Sequence, residues 1–339
     1  KNMRKRRWTL SSYQLTSLLL LLPLWYNALS NAYEESKDRS NHAVILSTSR
    51  FWFNYRHVIN ALSIYDLIRR NGIPDENIVL MLADDIPINA RNPRKNYMHY
   101  YDYHPQRPSL IHSDTQIDYR GDDVTVDNLR RVLLGRGLPN GKRVLHTNNS
   151  SRVLLYWTGH GGDSFFKFQD VEEITSMDIR LILREMQFHS LLFLADTCQA
   201  FTLGNQLQDI PNVYFIGSSL VHENSYAHHT SRDLGLAVIE RYTFALMEFL
   251  QRRNSLDGLT LSQALVEHLD FRHQRAHVGV LQTLGTRPLQ EVELQEFVSA
   301  PTTNETLPQI SLLSRIPSVS KDWTNVMKQM ATHAVMPEK

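Results

Sequence analysis

Continuous apolar runs punctuate the chain at intervals. They are Ala43-Val-Ile-Leu-Ser47, Asn77-Ile-Val-Leu-Met-Leu82, Arg152-Val-Leu-Leu-Tyr-Trp157, Leu191-Leu-Phe-Leu-Ala-Asp196 and Val213-Tyr-Phe-Ile-Gly217. Each is strand-length, which is the signature of a strand buried on both faces. Helical periodicity fills the spaces between them. Residues 54–71 carry Val58, Leu62, Tyr65 and Ile68 near helical spacing, and Gly72 and Pro74 end that segment. Thr125 stands as an N-cap for a helix over 126–134. Further helices are expected over 177–187, 234–251 and, more weakly, 259–269. Strand and helix alternate, which predicts an α/β fold with a mostly parallel sheet flanked by helices. Residues 84–123 read as a long irregular loop rich in Pro, Asn, Tyr and His.

The ends differ from the middle. Met3-Arg-Lys-Arg-Arg7 is a basic stretch, and an apolar run from Leu15 to Leu24 follows it, interrupted by Pro23. That run is short of the roughly 20 residues a membrane span needs. With small residues at Ser30-Asn31-Ala32, it reads as a signal peptide over 1–32, cut after Ala32. Residues 33–255 then form one catalytic-sized domain, and 256–339 a partly irregular extension with no apolar run of spanning length. A leader of this kind implies a glycosylation-competent lumen, where Asn148, Asn149 and Asn304 stand in acceptor sequons. The charge is balanced, with 36 Lys and Arg against 35 Asp and Glu. No clustered basic face marks a nucleic-acid partner.

Candidate chemistry gathers at two strand ends. Cys198 is the single cysteine of the sequence and follows the strand ending at Asp196. It can form no internal disulfide. The strand ending at Trp157 runs into Thr158-Gly159-His160-Gly161-Gly162. Parallel strands would place His160 and Cys198 side by side at the carboxyl edge of the sheet, where open α/β folds build their sites. A thiol needs a neighbouring imidazole to take its proton. The backbone N–H groups of Gly161 and Cys198 are the candidate oxyanion donors. An inert buried cysteine and a merely exposed turn histidine are the plain alternatives.

Metal binding competes poorly with this reading. His222, His228 and His229 match no zinc spacing, and the segment around them suits a substrate-facing loop. His99, His104 and His112 lie in the long loop, where exposed histidines are the default. Asp75, Asp118, Asp122 and Asp123 have the chemistry for a hard cation such as calcium.

A resemblance narrows the choice. Ser49-Arg-Phe-Trp-Phe-Asn-Tyr-Arg-His57, Gly72-Ile-Pro-Asp75, Leu80-Met-Leu-Ala-Asp-Asp85, Tyr156-Trp-Thr-Gly-His-Gly-Gly162, Phe166-Lys-Phe-Gln-Asp170 and Asp196-Thr-Cys-Gln199 occur in that order. Together they resemble the glycosylphosphatidylinositol (GPI) transamidase catalytic subunits, in the legumain-like branch of the caspase-type cysteine peptidases. The resemblance implies a caspase-like fold and residence in the lumen of the endoplasmic reticulum. It implies a thiol-dependent reaction that cuts a C-terminal signal from a proprotein and joins the new carboxyl to the amine of a GPI lipid. A legumain-like endopeptidase cutting after Asn or Asp is the alternative.

By the same resemblance Cys198 is the nucleophile, His160 its base and Asn54 the residue that orients the imidazole; Asn60 could not be set aside from the residues alone. No cofactor is implied for the chemistry. A structural calcium ion is implied at Asp75 and Asp118, with Gln116 where an acidic residue is common. Animal and fungal members carry a C-terminal transmembrane helix and a cysteine after Leu-Ala-Asp-Asp that bridges to a partner subunit. Here that loop reads Ile86-Pro-Ile-Asn-Ala90, so contacts with the other subunits of the complex are expected to be noncovalent.

Overall fold

The computed structural model describes residues 40–137, 141–269 and 271–301. The expected signal peptide, Asn304 and the tail beyond 301 lie outside the described residues.

The strands are β1 (Asn41–Ser47), β2 (Ile78–Leu82), β3 (Tyr119–Arg120), β4 (Arg152–Thr158), β5 (Gly161–Gly162), β6 (Phe165–Phe168), β7 (Glu172–Thr175), β8 (Ser190–Asp196), β9 (Val213–Gly217), β10 (Ala227–Thr230), β11 (Ala237–Glu240) and β12 (Gly279–Gln282). The main helices are α1 (Tyr55–Arg70), α2 (Val126–Leu133), α3 (Ser176–Glu185) and α4 (Arg241–Gln251). The central sheet has seven strands in the order β12-β9-β8-β4-β1-β2-β3. All neighbours run parallel except β12, which is antiparallel to β9.

The apolar runs are buried on both faces, as a sheet between two helical layers requires. Ala43 and Ile45 of β1 join one core with Val58, Leu62 and Ile68 of α1 and Tyr242 and Leu246 of α4. Val44 and Leu46, one residue out of phase, join a second core with Leu129 and Val132 of α2 and Ile179 and Ile182 of α3. The Thr125 hydroxyl accepts from the Asn128 N–H at 3.1 Å and so caps α2.

Three expectations need correction. Residues 234–251 are not one helix: Ala237–Glu240 is β11, paired antiparallel with β10, and α4 starts only at Arg241. Apolar side chains occur on both sides of the Glu240-Arg241 junction, so periodicity hides the change. Residues 259–269 hold a shorter helical stretch, 261–267, most of it the π-helical turn Gln263–Glu267. The domain does not stop at 255. β12 forms an edge of the central sheet, and Leu259, Leu261, Leu265, Val292, Leu294 and Phe297 are core residues. Among the described residues, no helix is long and apolar enough to cross a membrane.

Candidate active site

Strand register sets the site. Thr158 of β4 pairs directly with Asp196 of β8, and Ser47 of β1 pairs with Thr158. His160 and Cys198 therefore each stand two residues past a paired position at the same carboxyl edge. The two loops lie close together. A Cβ on Gly161 would come within 2.8 Å of Thr197 Oγ1 and 3.0 Å of the Phe165 carbonyl. Only glycine lets the histidine loop approach the residue before Cys198 so closely. The turn after Cys198 is held open by Gln199, a non-glycine residue with φ of 50°. Its backbone N–H donates to the Glu223 carbonyl at 2.8 Å, and its side-chain Oε1 accepts from His222 N–H at 2.9 Å. The 220–226 loop thus packs on the Cys198 turn.

Asn54 lies just before α1, where β1 has delivered the chain to the same edge. Its Oδ1 sits 3.0 Å from His160 Nε2. Its Nδ2 donates to the Arg50 carbonyl at 2.6 Å. That second bond fixes which end of the amide faces the ring, because a carbonyl can only accept. His160 must then carry its proton on Nε2 and keep its lone pair on Nδ1. Asn60, which the sequence could not separate from Asn54, is occupied elsewhere. Its Nδ2 donates to Thr158 Oγ1 at 2.9 Å and its Oδ1 accepts the Glu240 N–H at 3.1 Å.

Burial lowers the His160 pKa, with the Arg56 charge acting in the same direction. Burial also pushes the Cys198 thiol up, against a backbone hydrogen bond from Ser225. Both shifts run toward the neutral forms, a thiol and an imidazole. Asp196, just before Thr197-Cys198, is fully enclosed, and burial, then the nearby Glu240 charge, push its pKa up to about 6. Its oxygens accept from Thr243 at 2.7 Å and Ser225 at 3.0 Å.

Sequence reasoning missed a second set of groups beside these. Glu240, 3% exposed, accepts from Arg56 Nε at 2.6 Å and from His57 Nε2 at 3.1 Å. The His57 ring stands edge-on to His160 at 5.0 Å between centroids. Burial holds His57 well below the ordinary imidazole pKa, so it is neutral and donates to Glu240. The available signal was an Arg-His doublet in the buried first turn of α1. Glu240 had none, because its partner elements are far away in sequence.

Of the other candidates, His222 lies beside the Cys198 turn through its N–H bond to Gln199. His228 and His229 pack as aromatic rings: His228 lies 4.1 Å from Phe244 and His229 lies 5.7 Å from Tyr101, centroid to centroid. Among the described residues, no group of three or more His, Cys, Asp and Glu is placed to hold a metal ion. Asp75, Gln116 and Asp118 do converge, but around the side chain of Arg143. Asn148 and Asn149 lie on an exposed turn.

Replacing Asn54 with alanine would free the imidazole to turn and to exchange its tautomer. We expect a loss of about 10²-fold in kcat, the scale of a misplaced reacting group. Unchanged melting temperature in the same variant would separate positioning from folding. A near-normal kcat in Asn54→Ala would remove Asn54 from the mechanism.

The pattern of the peptidase C13 family matches residues 41–293. The putative GPI-anchor transamidase of Caenorhabditis elegans is 40% identical over 277 residues, covering 79% of this chain and 85% of that protein. The GPI-anchor transamidase of Saccharomyces cerevisiae is 40% identical over 288 residues, 82% of this chain and 69% of the yeast protein. The putative GPI-anchor transamidase of Drosophila melanogaster is 41% identical over 277 residues, 80% and 77% respectively. The family match takes in β1, the helix behind Asn54, the His160 and Cys198 loops and the β12 edge, and on that evidence this chain belongs to the peptidase C13 family of cysteine peptidases.

Proposed function

We propose that this chain is the catalytic subunit of a GPI-anchor transamidase. The observation that carries the reading is its similarity to named transamidases across about four-fifths of its length. The geometry supplies a mechanism. His160 Nδ1, left unprotonated by the Asn54 contact, takes the Cys198 proton as the sulfur attacks the carbonyl at the attachment site. The C–S bond forms and the carbonyl oxygen becomes an oxyanion, for which the N–H groups of Gly161 and Cys198 are the donors in this scheme. Collapse breaks the peptide C–N bond, and the imidazolium returns its proton to the departing amine. The ethanolamine amine of the GPI lipid then attacks the thioester, losing a proton to His160. The new amide C–N bond forms, the C–S bond breaks and the thiol is restored. The chain works in the lumen of the endoplasmic reticulum, in a complex with other subunits that it contacts noncovalently.

The test is depletion of this gene with rescue by the wild-type chain. Surface GPI-anchored proteins should disappear and precursors retaining their C-terminal signal should accumulate. A product with a free C-terminal carboxyl in place of the ethanolamine amide would indicate the legumain-like endopeptidase. Intact anchoring after depletion would refute the reading.

The two shifts also set the expected direction of the pH response. His160 must be unprotonated to act as base, and its pKa lies below the ordinary 6.5. The acid limb of kcat/KM should therefore fall below pH 6.5, with activity retained through the mildly acidic range. In step with this, alkylation of Cys198 without substrate should stay slow at neutral pH, because the thiol pKa is raised. Rapid alkylation at acid pH would signal a preformed ion pair and overturn the assignment.

A further inference from the structure

Far from the catalytic edge, five oxygen-bearing groups converge at the β2–β3 side of the sheet. Asp75 follows Pro74 in the connection into β2, and its Oδ1 accepts from the Tyr65 hydroxyl at 2.5 Å. Asp118 immediately precedes β3, and its Oδ2 accepts from the Leu80 N–H at 3.0 Å. The other three are the carbonyls of Asp75 and Ile78 and the amide oxygen of Gln116. Two carboxylates, two carbonyls and an amide oxygen form a donor set of the kind that holds a hard cation.

The centre of that set is taken. Arg143 Nη1 donates to the Asp75 carbonyl at 2.5 Å and the Ile78 carbonyl at 2.9 Å. Nη2 donates to Gln116 Oε1 at 2.7 Å. Nε lies 3.4 Å from Asp118 Oδ1, and Nη1 lies 3.6 Å from Asp75 Oδ2. That last oxygen is buried and has no hydrogen-bond partner, so the nearby guanidinium is what faces it. A second guanidinium, Arg69, stands 3.8 Å from Asp75 Oδ1.

The charges are engaged as the geometry suggests. Asp75 and Asp118 face the Arg143 guanidinium, while Arg69, 3.8 Å from Asp75, is bound more closely by Asp114 at 3.1 Å. Gln116 is neutral where a third carboxylate would add negative charge. A calcium ion needs six to eight oxygens at about 2.3–2.6 Å. Here it would have to evict the guanidinium from its hydrogen bonds with both carbonyls and Gln116, or sit against it as one cation against another. The residues present do not fit the ion.

We propose that the Arg143 guanidinium is the resident cation of this cage, and that the chain joins β2, β3 and the 143–145 segment without calcium. Arginine suits the role because its planar fork reaches carbonyl and carboxylate oxygens on several segments at once and its charge is permanent.

The test uses the full chain. Its melting temperature should be the same in EGTA as in millimolar calcium, a concentration that reaches even weak protein sites. Terbium should show no saturable emission sensitised by Tyr65, whose hydroxyl touches Asp75. Arg143→Gln should lower the melting temperature by several degrees in EGTA, and Arg143→Lys by less, since lysine keeps the charge and loses the fork. A wild-type melting temperature that rises with calcium overturns the proposal. So does saturable terbium emission that Asp118→Asn abolishes, or an Arg143→Gln protein as stable as wild type. Should Arg143→Gln fail to fold, the wild-type comparison still decides.

Discussion

Cys198→Ala is expected to abolish anchor attachment while leaving the protein folded. The thiol is only partly enclosed in the loop after β8, so trading sulfur for hydrogen removes little packing. The stability change should stay within about 1 kcal/mol. Activity should fall by on the order of 10⁴-fold or more, because Cys198 is the single cysteine of the sequence and no other thiol can replace it. His160→Ala should fall as far, since an unactivated neutral thiol is a poor nucleophile at neutral pH. The informative variant is the double one. If thiol and imidazole act as a unit, losing both is no worse than losing either. Anchoring of a reporter in depleted cells, read beside thermal melts of the same variants, measures all three. A double variant far below both single ones would mean that the two side chains contribute independently, which the scheme forbids.

Gly217→Ala should produce the second large effect, by a different route. Gly217 ends β9, and a Cβ there would sit 2.5 Å from Phe201 N, 2.7 Å from Phe201 Cα and 2.8 Å from the Ala200 carbonyl carbon. These are backbone atoms of the segment that follows Cys198, so no side-chain rotation relieves the clash. Overpacking of this kind costs typically about 1–3 kcal/mol, and here it would also displace the nucleophile's turn. We expect a lower melting temperature together with a fall in kcat of about 10²-fold. An alanine variant with wild-type melting temperature and turnover would show that β9 and the Cys198 turn are not packed as described.

What the sequence revealed follows from which interactions are local. β1, β4 and β8 are covered on both faces, so each writes an unbroken apolar run that needs no partner to be recognised. The positions of His160 and Cys198 then follow from counting past two strand ends. Asn54 and Asn60 both precede or enter α1, and only the bond to His160 tells them apart. β10 and β11 are hidden because an apolar strand flows directly into an apolar helix at Glu240, whose side chain makes no cap. β12 is four residues long, and its Gly279 packs where a Cβ would meet the Phe201 ring at 2.4 Å. Its membership of the sheet depends on contacts that no local pattern records. The same holds for the Arg143 cage, assembled from three stretches of chain.

The sheet order carries a consequence for how the enzyme is made. β1 is first in sequence yet sits inside the sheet, between β2 and β4. One of its edges can pair early, with β2. The other stays open until β4 is synthesised, and Asn54 waits 106 residues for His160. At ~5–20 residues per second, that interval is about 5–20 s of elongation. Throughout it the growing chain presents an apolar strand with an unpaired ladder, the kind of edge that recruits wrong partners. Closing it spans a long stretch of chain, and such closures are the slow ones. Production of active enzyme is therefore most vulnerable at the capture of β1 by β4. Lesions in β4 should reduce yield before they alter the turnover of the molecules that succeed.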